Sequence, residues 1–83
     1  MGEWIEELAA AVGQPPLSDD ETTELLRATR EVAHRVERRA TPLAAFLLGL
    51  DVAGRTAAGA TRGSAIAASI ADLGRLLPAA EGG

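Results

Sequence analysis

The sequence predicts an all-α protein, a compact bundle of four helices whose third helix is central and largely apolar. Three observations carry that prediction. Strand signals are missing, with no Tyr, a single Phe and no alternating run of β-branched residues. Apolar side chains recur at helical spacing in four separate segments. A chain of 83 residues buries only about 60% of the surface its unfolded form exposes, so it builds one core rather than two. The expected domain covers residues 1–78, with helices at about 3–12, 19–39, 42–58 and 63–77. Residues 79–83 have nothing to bury and are expected to form a disordered tail.

The first helix is expected to place Trp4, Ile5, Leu8 and Val12 on one stripe, with Glu3, Glu6 and Glu7 toward water and favouring the helix start. Gly13 ends it. Gln14-Pro15-Pro16-Leu17 cannot extend a helix, because two prolines remove donors and restrict the residues before them; Leu17 is expected to tuck back onto the core. In the second helix, Ser18 and Glu21 have the spacing of a capping box, and Asp19 and Asp20 add negative charge at the positive end of the helix dipole. Leu25, Thr29, Val32, Val36 and Ala40, with Leu26 and Ala33, form its apolar face. Arg27 with Glu31, and Glu31 with Arg35, stand four apart and are expected to pair.

Thr41-Pro42 reads as an N-cap followed by proline at the first helical position, where a missing donor costs nothing. The third helix then carries apolar side chains at 43, 46, 47, 48, 50 and 52 and has no polar face, so it is central or meets another protein. Gly49 is expected to admit a close backbone neighbour. A loop is expected near residues 59–62. The fourth helix presents Ile66, Ile70, Leu73 and Leu77, with Ala67, Ala71 and Gly74 as a small-residue strip for close helix approach, and Pro78 ends it.

Composition removes several functions. There is no cysteine, hence no disulfide, thiolate chemistry or thiolate metal site. The acidic start lacks the basic region of an export signal, and the apolar run at 43–50 falls far short of the roughly 20 residues of a bilayer span. A cytoplasmic location and no membrane partner are expected. Twelve acidic side chains against eight arginines and no lysine give a net charge of −4. Such a chain lacks the broad positive field that holds a phosphate backbone, so nucleic acid is not an expected partner.

Candidate chemistry centres on His34, the only histidine and the only side chain that ordinarily titrates near pH 7. Glu37 and Arg38 follow it by three and four residues, which places them beside it on a continuous helix, and Arg30 is a further candidate for a phosphate or an acidic partner. Trp4 is expected in the core or at its rim, closing one end of the bundle; exposed, it would serve as an interface anchor. Glu31-Val32-Ala33-His34 has the Glu-x-x-His spacing of a diiron bundle once, whereas such a centre needs it on two helices. Gly49-x-x-x-x-Gly54 and Gly54-x-x-x-x-Gly59 lack the lysine and the preceding strand of a phosphate loop. Arg62, with Gly59 and Gly63, could line a turn near an anion. No catalytic residue, metal ligand or cofactor is assigned.

From Arg30-Glu31-Val32-Ala33-His34-Arg35-Val36-Glu37-Arg38 through Thr41-Pro42-Leu43-Ala44-Ala45-Phe46-Leu47-Leu48-Gly49, with Trp4-Ile5 in the opening helix, the sequence resembles a small actinobacterial all-helical family of uncharacterised function. The matched positions are Trp4, His34, Glu37, Pro42, Phe46 and Gly49; Arg39 departs from the pattern, where a residue such as proline is expected. Members of that family stand alone or are appended to proteins similar to molybdenum cofactor guanylyltransferases. The resemblance therefore implies an accessory role around molybdenum cofactor maturation. The expected function is a non-catalytic accessory or protein-interaction domain, with a second copy of the chain or a molybdenum cofactor biosynthesis protein as partner. The alternative is a small anion- or ligand-binding module on the His34/Arg38 face, contacting Glu37, Arg30 and Trp4 as well.

Overall fold

The computed structural model describes residues 1–79, and the part of the expected tail from residue 80 onward lies outside them. Four helices follow one another, α1 (Gly2–Ala11), α2 (Asp19–Arg35), α3 (Ala40–Ala57) and α4 (Arg62–Leu76). They form a compact all-α bundle measuring 41 × 30 × 20 Å. The third helix is central, packing most extensively on α4 and next on α2; α1 makes no comparably close helix–helix contact.

Local chemistry explains most boundaries. Gly13, at φ 74°, closes α1 in a Schellman turn: its N–H donates to the Ala10 carbonyl and the Gln14 N–H to that of Ala9. Gly59, at φ 110°, closes α3 in the same way, with Gly59 N–H on Thr56 and Ala60 N–H on Arg55. The capping box of α2 forms as its spacing predicts, Glu21 N–H donating to Ser18 Oγ at 3.0 Å and Ser18 N–H to Glu21 Oε1 at 2.8 Å. At the head of α4, Thr61 Oγ1 accepts from Ser64 N–H at 3.2 Å.

The connection between α2 and α3 differs from expectation. α2 stops at Arg35 rather than near 39, with Val36 at φ −115°, ψ −87°. α3 begins at Ala40, its N-cap position is Arg39 in αR geometry, and Thr41 is helical and caps nothing. Proline accounts for both. A helix running from α2 through Pro42 would press its ring on the carbonyl of Arg38. With a new helix starting at Ala40, Pro42 falls in a first turn, where its absent N–H is not missed. The freed Arg38 carbonyl accepts from Thr41 N–H at 3.1 Å.

The core is narrow. Ala28, Val32, Ala65 and Ile66 are its buried apolar residues and Ser69 its buried polar one. From α3, Thr41, Ala44, Leu48, Val52 and Thr56 face the bundle half-buried. On α4 the close approach is made by Ala65 and Ser69, while Ala67, Ala71 and Gly74 are exposed and do not form the expected packing strip. Gly49 admits no backbone neighbour either, since a Cβ built on it meets nothing within 4 Å.

Candidate interaction surface

The structure does not draw the sequence-predicted site residues together. Arg30 and His34 lie exposed on α2, and Glu37 and Arg38 lie exposed beyond its end. The expected patch required one continuous helix from His34 to Arg38, and the break at Val36 removes that geometry. Among the described residues no side-chain hydrogen bond or ion pair joins any two of His34, Glu37, Arg38 and Arg30. Trp4 is 63% exposed and so is not a core residue. Its helix turns Ile5 and Ala9 toward the bundle, leaving Trp4, Leu8 and Val12 outside. Among the described residues no group of three or more His, Cys, Asp or Glu is placed to hold a metal ion.

Arg62, the residue offered above as an anion contact, meets an anion supplied by the chain itself. Its Nε and one terminal nitrogen donate to the Glu21 carboxylate at 2.9 and 2.8 Å, a bidentate pairing that suits the planar guanidinium. Its remaining donors reach the Pro15 carbonyl at 2.8 Å and the Pro16 carbonyl at 2.6 Å. The Arg62 guanidinium, and after it the Ser18 N–H, hold the Glu21 carboxyl down from an ordinary 4.5 to about 2, against a smaller opposing effect of desolvation. The same bond to Glu21 raises the Arg62 pKa. A groove of about 660 Å³ runs beside this clasp, lined by Gln14, Pro15, Val52, Thr56 and Gly63 among others. Among the described residues that line the groove, the one cation is Arg62, whose charge is already paired with Glu21.

A second ionic chain ties α3 to α4. Arg55 donates to Asp51 at 2.8 Å and to Asp72 at 2.6 Å, and Arg75 also donates to Asp72. Arg55 first, and Ser69 next, lower the Asp51 pKa. At the far end of the bundle Arg35 Nε donates to the Pro78 carbonyl at 2.8 Å and the same side chain pairs with Glu31 at 3.5 Å. Arg27 pairs with Glu24 instead of Glu31. Of these contacts, Arg55 to Asp72 and Arg35 to Pro78 join separate parts of the fold, and the others lie within single helices.

The outward face of α3 is apolar. Leu43, Phe46, Leu47 and Leu50 of α3 are 68, 66, 64 and 57% exposed. Their spacing of three, one and three residues gathers them onto a single helical stripe. Residues 43–50 contain no charge. Deeper in, Leu25, Leu26, Leu48, Val52 and Ile66 line an apolar cleft of about 350 Å³ between α2 and α3. Sequence reading recognised that the third helix lacks a polar face; only the packing reveals which side the bundle leaves uncovered.

Fold and surface together define a small all-helical domain with an ionic framework inside its turns and an apolar face on its central helix. The chain belongs to DUF6457, a domain of unknown function, whose family model matches residues 1–82. No curated protein and no solved structure matches it. Among the described residues no helix is long and apolar enough to cross a membrane.

Proposed function

We propose that this domain is a non-catalytic protein-interaction module that docks through the outward face of α3. One observation carries the reading: four large apolar side chains, each more than half exposed, stand on one stripe of the helix at the centre of the bundle. Water-exposed apolar area on that scale is retained where it is covered in use. The His34/Arg38 ligand face has no comparable support, because Glu37 and Arg38 lie beyond the helix that carries Arg30 and His34. As the sequence resemblance implies, the partner belongs with the molybdenum cofactor guanylyltransferase-like proteins of actinobacteria, and the domain serves as their accessory.

The test is capture of such a guanylyltransferase-like protein from the native cell extract on the full chain, with Phe46→Glu and His34→Ala/Arg38→Ala variants run in parallel. Recovery by the wild type and by the His34/Arg38 variant, with loss in Phe46→Glu, supports docking through α3. Loss in the His34/Arg38 variant alone moves the contact to α2 and overturns the proposed face. Recovery of no guanylyltransferase-like protein overturns that partner.

A further inference from the structure

Resting on the interaction reading, we infer that in the isolated protein the α3 face is covered by a second copy of this chain, docked antiparallel across a two-fold axis, which the guanylyltransferase-like partner displaces when it binds. Surface area supplies the first argument. A folded monomer of 8.5 kDa exposes about 4,650 Å² by the usual scaling with mass, whereas this chain exposes 6077 Å². The excess of about 1,400 Å² is spread over the molecule, with the α3 stripe one part of it, and each partner in a stable complex of ordinary size covers about 800 Å². The four stripe residues alone offer on the order of 500 Å² at the observed exposures, taking roughly 200 Å² for each residue fully open to water. Their immediate helix neighbours, the exposed Arg39, Ala53 and Gly54, bring a self-contact within reach of the usual share.

Spacing supplies the second argument. An isologous contact requires a surface that maps onto itself under a half-turn. Positions 43, 46, 47 and 50 meet that condition, because three, one, three reads the same from either end. A two-fold axis passing beside α3, level with the midpoint of residues 46 and 47, sets Leu43 against the partner's Leu50 and brings Phe46 to the partner's Phe46 and Leu47 to the partner's Leu47. The two helices then run antiparallel, with opposite dipole ends side by side. The net charge of −4 does not oppose this contact locally, since residues 43–50 are uncharged.

Purified full-length chain is measured by equilibrium sedimentation from about 1 to 200 μM, beside Leu47→Glu on the stripe and Val12→Glu, which is 62% exposed at the end of α1 and away from it. The expected result is a mass rising toward twice 8.5 kDa for the wild type and for Val12→Glu. Leu47→Glu is expected to dissociate at least a hundredfold more readily while keeping its helical circular dichroism. Because the chain has no cysteine, Leu47→Cys gives a second reading that leaves the stripe apolar. Under mild oxidation it is expected to form a disulfide-linked dimer, as Val12→Cys does not. A wild type that stays monomeric at every concentration overturns the second copy, and so does equal cross-linking at the two cysteine positions. Phe46-dependent capture of the guanylyltransferase-like partner by a monomeric chain would leave the interaction reading standing, whereas a monomer that captures none would remove both.

Discussion

Replacing Arg62 with alanine is the sharpest probe of how this small bundle is held together. The substitution removes the bidentate pair with Glu21 and two bonds to the Pro15 and Pro16 carbonyls. A carboxyl held at about 2 against an ordinary 4.5 corresponds to about 3.5 kcal/mol if each pKa unit is worth about 1.4 kcal/mol. Two effects reduce that figure for Arg62 itself. Ser18 N–H supplies part of the lowering and survives the substitution, and a quarter of the Arg62 side chain is exposed, so water and salt screen the pair. We expect a loss of about 2 kcal/mol at pH 7, read by urea unfolding. Because the folded-state pKa of Glu21 is the lower one, its contribution is complete above pH 4.5 and is lost as the pH falls from there toward 2. The gap between wild type and Arg62→Ala should therefore narrow through that window. A variant within 0.5 kcal/mol of the wild type at pH 7 would refute the account (an exposed pair gives about that much), and so would a gap that stays constant between pH 4.5 and 2.

Four further outcomes are expected from the same unfolding assay. Gly49→Ala should stabilise by about 0.5 to 1 kcal/mol, because the new Cβ meets open space inside α3 and the unfolded chain loses freedom. Ser18→Ala should cost about 1 kcal/mol by removing the α2 cap, and its effect should not add to that of Arg62→Ala, since both act on Glu21. Ile66→Ala, at 4% exposure, should cost about 3 kcal/mol. Trp4→Ala, at 63% exposure, should cost less than about 1 kcal/mol, and a loss as large as that of Ile66→Ala would mean that Trp4 is packed after all.

The legible parts of this fold are those whose chemistry is local. Ser18 and Glu21 announce the start of α2 from three residues apart, and Gly13 and Gly59 mark turns that require φ above zero. Helix faces are harder, because periodicity identifies an apolar stripe without saying what covers it. Trp4, Ile5, Leu8 and Val12 share one side of α1, yet the bundle takes only Ile5. Pro42 was legible as a first-turn residue, but the position of that turn depends on where α2 yields, and Val36 carries no turn signal of its own. The clasp of Arg62 on Glu21 joins residues 41 apart. Nothing in the spacing pairs this arginine with that glutamate over the other acidic residues; only the α3 to α4 turn, closed at Gly59, brings them together.

That clasp also orders events during folding. α2, α3 and α4 hold one another by direct packing, and α1 joins them largely through the Pro15 and Pro16 carbonyls, which Arg62 fixes from 47 and 46 residues downstream. The α1–α2 connection therefore cannot settle until the head of α4 exists. During synthesis the first helix made is the last to be secured, and in the finished molecule it is the first to open, so amide protons of α1 should exchange well ahead of those around Val32 and Ile66.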